Sequence, residues 1–372
     1  MGADWKADER PVAVYVHSPF CPSKCPYCDF NSFAMTGDIL ERTSRAMAEE
    51  VRRSPWRGRP AKTVFFGGGT PTFFETGQLL RVLDAVLEAH PPVAGAEITS
   101  EANPGTADAA KFAAMRAAGF NRISLGAQSF VKEDLARLGR VHDAADIGAA
   151  VRAARVAGFD NLNLDLMFAL PGQTAAAWRR NLELAFLLQP EHLSLYCLTI
   201  EPNTLYYRLH LRGALHLPDD EAQARQYDIA VAEAEARGYR AYEISNFARP
   251  GRECAHNLCY WRAEEYAGYG PGAVGRIGAA RYTNAKHPAR YCEAVETGGD
   301  LWCDSETVDP ATLRVERIML GLRLAEGIPA EGLDRRALGR MAARRWIAQD
   351  GGRVRLTPQG RHFCTEVAAE LS

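Results

Sequence analysis

The chain has 372 residues, of which 47% are hydrophobic and 24% charged, with a formal net charge of −2. That length suits two domains, or one large domain with an appendage, and the apolar content is ample for a core. The charge balance excludes a strongly basic nucleic-acid binder, and no run of about 18 apolar residues is present, so membrane insertion is not expected either.

The start, M-G-A-D-W-K-A-D-E-R-P, is polar and lacks the apolar run of a signal peptide. Its Met-Gly opening has Lys6 where a myristoylation site wants Ser or Thr. Nine cysteines, odd in number and unevenly placed, argue against a disulfide framework and for reduced thiols, so the expected location is the cytoplasm.

Short β-branched runs then alternate with helical periodicity. V-A-V-Y-V-H (12–17) predicts a strand, followed by a helix over 38–53. T-V-F-F (63–66) precedes a helix over 78–89, and E-I-T-S-E (97–101) precedes one over 107–118 that Gly119 ends. R-I-S-L-G (122–126) leads into helical segments through Ala157, closed by Gly158. L-N-L-D-L-M (162–167) precedes a helix over 174–188, and H-L-S-L-Y (192–196) one over 219–237. Six strand–helix units in series imply an α/β fold with a parallel sheet, because each parallel crossover needs a helix. An open doubly wound sheet and an incomplete barrel both fit that pattern. Residues 241–300 hold many aromatics, Gly and Pro with little periodicity, and helical patterning resumes near Thr312. The expected division is therefore a core over 1–240, an irregular connecting segment over 241–305 and a small, mainly helical, winged-helix-like unit over 306–372, read as a cap on the core.

Chemistry concentrates at V-H-S-P-F-C-P-S-K-C-P-Y-C-D-F-N-S-F (16–33). Cys21, Cys25 and Cys28 follow directly on the first strand, at the edge where parallel α/β folds build their sites. C-x3-C-x2-C supplies three thiolates to a cubane cluster with four irons, and leaves one iron open to a small molecule. A zinc knuckle completed by His17, or simply buried thiols, is the alternative; zinc sites favour paired C-x2-C halves, and no second half is evident.

This loop resembles the signature of the radical S-adenosylmethionine (SAM) superfamily. The resemblance implies a partial (β/α)6 TIM-like barrel carrying a [4Fe–4S] cluster, with SAM on the fourth iron as a source of 5′-deoxyadenosyl radical. Y-V-H-S-P-F-C, F-F-G-G-G-T-P-T and N-L-D-L-M-F-A-L-P-G-Q-T further resemble the coproporphyrinogen III dehydrogenase-like branch, and the likeness extends to its C-terminal (HemN-type) helical domain. Ser18 stands where that branch usually has an aliphatic residue. By this resemblance Tyr15, Gly68, Gly69, Thr70 and Glu101 hold the cluster-bound SAM. Gln128, Arg140, Asp165 and Thr199 match positions that hold a second SAM in the dehydrogenase. Polar side chains at strand ends are also what any pocket lip shows.

Two features separate members of the branch. The dehydrogenases carry a further cysteine two residues after the third and a longer leading segment, whereas this chain has Cys28-Asp29-Phe30 and 20 residues before Cys21. In addition, His256-Asn257-Leu258-Cys259-Tyr260-Trp261 places an imidazole, a haem axial ligand, beside two flat aromatics. H-N-x-x-Y-W resembles the motif of the haem-chaperone relatives, HemW. That implies haem binding through His256, transfer to an unidentified haem-acceptor protein, and a homodimer as an expected assembly. Cys254 and Cys259 flank the motif and read as buried thiols, since C-A-H-N-L-C does not fit a c-type attachment site. The enzymatic alternative, oxygen-independent coproporphyrinogen III dehydrogenase, rests on Gln128, Arg140 and Asp165.

Overall fold

The computed structural model describes residues 10–372; the polar stretch before Arg10, with its Met-Gly start, lies outside the described residues. The six expected strand–helix units are present in order. They are β1 (Val12–Ser18) with α1 (Asp38–Arg52), β2 (Ala61–Gly68) with α2 (Thr76–Ala89), and β3 (Pro92–Ala102) with α3 (Ala109–Ala118). Next come β4 (Arg122–Gln128) with α4 (Lys132–Arg137) and α5 (Ala144–Val156), and β5 (Leu162–Phe168) with α6 (Ala175–Leu187). Last is β6 (His192–Cys197), followed by a short α7 (Leu205–Leu211) that periodicity missed, and α8 (Asp220–Glu235). Helix starts are set locally: Asp108, Asp143, Thr174 and Asp219 each accept a backbone N–H of the first turn. Gly119 ends α3 at φ 116°, a left-handed conformation that favours glycine.

Strands β1 to β6 pair in parallel and in chain order. Their register assigns two faces. Tyr15, Phe65, Thr99 and Arg122 stand abreast on one, and Glu101, Ser124, Asn163 and His192 on the same one. That inner face is polar and aromatic, while the opposite positions, such as Val14, Val64, Leu125 and Leu164, are buried in the main core beneath the helices. The parallel array does not close on itself, because β6 meets an antiparallel strand. It is a partial (β/α)6 barrel.

The segment expected to be irregular is instead part of the same sheet. β7 (Arg240–Ala241) and β8 (Asn246–Ala248) lie antiparallel beyond β6, followed by α9 (Ala255–Trp261). β9 (Tyr266–Tyr269) then pairs in parallel with β1 on the side away from β2, and β10 (Val274–Ile277) and β11 (Ala280–Asn284) continue antiparallel. After α10 (Pro288–Thr297), β12 (Trp302–Thr307) forms the far edge of a twelve-stranded sheet. These strands escape periodicity because they are short and carry Gly where backbones touch: a Cβ on Gly268 would lie 2.0 Å from the Val274 carbonyl oxygen.

Residues beyond β12 form a smaller unit with its own apolar cluster, including Ile318, Leu338, Met341, Val354 and Val367. It comprises α11 (Pro310–Gly321), β13 (Ile328–Pro329), α12 (Arg335–Ala343), a β14 (Ile347–Asp350)–β15 (Arg353–Leu356) hairpin and α13 (Cys364–Leu371). Helices followed by a hairpin give the winged-helix-like form that the patterning implied.

Glu50 fixes α1 to the sheet extension. Its buried carboxylate accepts from Gly270 N (2.8 Å), Asn284 Nδ2 (2.6 Å) and the Tyr291 hydroxyl. Burial pushes its pKa up to about 7. The unfolded chain gives up this proton at an ordinary carboxylate pKa and the folded one holds it, so stability is full below that value and falls as pH rises to about 7. The loss amounts to about 3 kcal/mol. Urea unfolding of wild type and Glu50→Gln from pH 4 to 8 is expected to show this slope in the wild type and a flatter one in the variant. Parallel profiles would contradict it.

Candidate cofactor site and the floor beneath it

The C-terminal ends of the parallel strands open into a cavity of about 320 Å³. The cysteine loop forms one wall. It is pinned to the sheet by Gly69 N–H to Ser18 O and Thr70 N–H to Phe20 O (both 2.7 Å), and closed on itself by Cys21 N–H to Phe33 O (3.1 Å). Lys24 Nζ ties it further, donating to Phe30 O (2.6 Å) and Ser32 Oγ (2.9 Å). Gly68 and Gly69 are required here. A Cβ on Gly68, at φ 105°, would lie 2.4 Å from the His17 ring, and one on Gly69 would lie 2.6 Å from Phe20 O.

Cys21, Cys25 and Cys28 are free, half-buried thiols on that wall. Burial raises the pKa of Cys21 and of Cys25, and neighbouring thiolates add to the rise. Three mutually repelling thiolates gathered at a cavity suit a polynuclear cationic centre between them. His17 cannot complete a zinc knuckle, because both ring nitrogens are engaged, Nδ1 with the Tyr15 hydroxyl and Nε2 with Asn31 O (both 2.9 Å).

Across from the loop, Glu101 accepts Gly68 N–H (3.1 Å), and its pKa is pushed up to about 8 by burial and then by Asp165. Asp165 accepts from Asn163 Nδ2 (2.7 Å) and Ser124 Oγ (3.3 Å), and burial raises its pKa as well. Arg140 donates to Asn103 Oδ1 and the Tyr27 hydroxyl (both 2.8 Å), while its buried Nε has no partner among the described residues. The cavity thus offers two carboxyl groups whose ionisation a bound cation would favour, and an unused guanidinium N–H to an anion. SAM, an aminocarboxylate with a sulfonium, presents both kinds of charge.

The structure brings together most of the residues singled out from sequence. Gly68, Gly69, Thr70, Glu101, Gln128, Arg140, Asp165 and Thr199 line the cavity with the three cysteines. Gln128 sits at φ 64°, a left-handed strain of the kind found at sites. Tyr15 lies one layer below, its ring over Phe65. Sequence reasoning missed Tyr27 and Asn103, which hold Arg140, and Met167, Tyr196 and Cys197 on the far wall. Tyr27 lies within the cysteine loop itself, so its place was the available signal.

His256 is elsewhere. It was expected on an irregular segment open to haem, and it is instead a floor residue of the partial barrel. Its ring is 1% exposed, with Nδ1 on Thr63 Oγ1 (2.8 Å), Nε2 on the Tyr260 hydroxyl (3.1 Å) and Phe65 stacked 5.0 Å away. Burial, then Lys62 and Arg122, lower its pKa to about 3, so the imidazole is neutral. The physical reason is Glu97: its carboxylate accepts Ala255 N–H (3.1 Å) and His256 N–H (3.2 Å), seating the start of α9 inside the sheet. Cys254 and Cys259 are buried beside it, as expected. In this arrangement no iron reaches the ring.

Residues 15–185 match the radical SAM superfamily, and residues 308–363 match the HemN C-terminal domain. The heme chaperone HemW of Bacillus subtilis (strain 168) is 37% identical over 369 residues, covering 95% of this chain and 97% of its own. The chain belongs to the HemW family of radical SAM proteins. HemW of Escherichia coli (strain K12) is 39% identical over 329 residues, covering 86% of this chain and 84% of its own. The coproporphyrinogen III oxidase (HemN) of Escherichia coli, described as a radical SAM enzyme, superposes with a TM-score of 0.84. It is 24% identical, covering 98% of this chain and 90% of that one, and shares the fold. Membership of the superfamily carries a [4Fe–4S] cluster and SAM. Among the described residues, no helix of this HemW-family chain is long and apolar enough to cross a membrane.

Proposed function

We propose that this protein is a cytoplasmic haem chaperone, which binds haem and passes it to an acceptor protein, with a SAM-ligated [4Fe–4S] cluster. What carries the reading is likeness to HemW over nearly the whole length of both chains, through the H-N-L-C-Y-W segment. The decarboxylase alternative is not favoured: Phe30 stands exposed on the cavity rim where that enzyme's further cysteine would be. Cys21, Cys25 and Cys28 hold the cluster. Gly68, Gly69, Thr70 and Glu101 serve the SAM on it, with Tyr15 supporting them from the layer below through His17, and Gln128, Arg140, Asp165 and Thr199 face the rest of the cavity. The bound pair supplies one-electron chemistry or a structural signal; the protein's own residues orient SAM and shield it from water. A homodimer is the proposed assembly.

Haem ligation by His256 then requires α9 to leave the floor. Its neutral ring has the charge state an iron needs, and Tyr260 holds the nitrogen at the longer of its two hydrogen bonds. A haem titration followed by the Soret band, on protein with its cluster reconstituted, tests this. The wild type is expected to saturate, His256→Ala to lose the saturable band while keeping its cluster, and Tyr260→Phe to bind several-fold more tightly. Saturation of His256→Ala at the wild-type concentration would place the ligand elsewhere. A wild type that does not saturate would remove the haem reading.

A further inference from the structure

The outermost strand, β12, is exposed along all six residues, and its outer side is the open edge of the twelve-stranded sheet. Its ladder to β11 fixes which peptide groups are free. Val308 N–H donates to Ala279 O (2.8 Å), and Glu306 and Asp304 stand opposite Arg281 and Thr283 in the same phase. The alternation of an antiparallel pair therefore turns the backbone N–H and C=O of Ser305 and Thr307 outward. Open edges of this kind recruit further strands unless they are blocked.

The two faces of this edge differ. Asp304 and Glu306 lie on one; Glu306 shares the single cation of Arg281 with Glu316, and Asp304 has no ion-pair partner among the described residues, so this face stays net acidic. On the other, an extra residue at Cys303 shifts the register so that Trp302 shares a face with Tyr282. The two rings stack at 4.8 Å, and Tyr282 stacks in turn on Trp56 at 4.9 Å. These rings, with Leu301, Gly298 and Gly299, line a pocket of about 230 Å³. Trp56 is 6% exposed, and its buried indole N–H has no partner among the described residues.

We infer that β12 docks an extended segment of a partner protein. The segment adds as an antiparallel strand, with basic side chains toward Asp304 and Glu306 and apolar ones toward the Trp302 ledge. A second copy of this chain is the wrong occupant: β12 paired with itself about Ser305 sets Asp304 against Glu306, and like charges opposite each other disfavour pairing. The recognition is of the strand-addition kind, with main-chain bonds giving affinity and alternate side chains giving specificity.

The probe is a blocked, fluorescein-labelled peptide of alternating Lys and Val with a central Phe, read by anisotropy beside its Glu-for-Lys counterpart. The Lys peptide is expected to saturate the wild type and the Glu peptide not to. Ser305→Pro removes an outward N–H that β11 does not use, which an edge strand tolerates, and is expected to weaken binding about tenfold or more. Asp304→Lys, an exposed substitution, is expected to do the same, and Ser305→Ala to change nothing. No saturation of the wild type by about 1 mM would overturn the proposal. So would unchanged binding to both Ser305→Pro and Asp304→Lys. Equal binding of the two peptides would overturn the basic assignment. Dimer formation that Ser305→Pro abolishes in sedimentation would overturn the choice of occupant.

Discussion

Cys28→Ala protein, reconstituted anaerobically with iron and sulfide, is expected to hold about a tenth or less of the wild-type cluster absorption and iron content. Three thiolates already leave one iron without a protein ligand, and the loop provides no replacement. His17 is held by Tyr15 and Asn31, and Ser32 is taken by Lys24. The same loss is expected of Cys21→Ala and Cys25→Ala. Cys303→Ala, on the far edge of the sheet, and Cys364→Ala, in the C-terminal unit, are expected to reconstitute as the wild type does. Far-ultraviolet circular dichroism separates cluster loss from misfolding. Full iron loading of any of the three loop variants would sink the assignment of that cysteine.

Arg122→Met is expected to destabilise the protein by roughly 3–5 kcal/mol, the usual cost of removing one partner from a buried ion pair. Arg122 is 2% exposed, and its guanidinium lies 3.9 Å from the Glu97 carboxylate. Without it, Glu97 keeps only the amide N–H groups of Ala255 and His256 and the Cys254 thiol against its charge. Arg122→Met/Glu97→Gln, which removes both charges of the pair, is expected to recover a large part of that loss in urea unfolding. A cost below about 1 kcal/mol for the single variant would show that water or rearrangement compensates Glu97.

The six parallel units were legible because their strands are β-branched and buried on both faces, and because Gly119 and Gly158 mark helix ends unambiguously. The cysteine loop was legible from spacing alone, and the glycine run from its chemistry of close approach. The sheet extension was not. Strands such as β9, read as Tyr266-Ala-Gly-Tyr269, owe their place to β1 far away in sequence rather than to any local pattern. Nor was the burial of His256, which depends on Thr63 and Glu97, two residues that no window around the motif contains. The Arg140 network shows the same limit: Tyr27 and Asn103 come from separate loops and meet only once the sheet has formed.

Strand β1 lies between β2 and β9, so a strand made before the rest of this sheet waits for nearly the last part of the core before its second side is covered. Until then, the nascent chain presents Val14 and its neighbours as an unpaired edge, and Glu97 and Arg122 face water rather than α9. Late closure of this kind makes folding slow and leaves a long interval in which a partly made chain is open to aggregation. It also sets an order of assembly: a cluster inserted before α9 has docked meets a barrel whose floor is still wet.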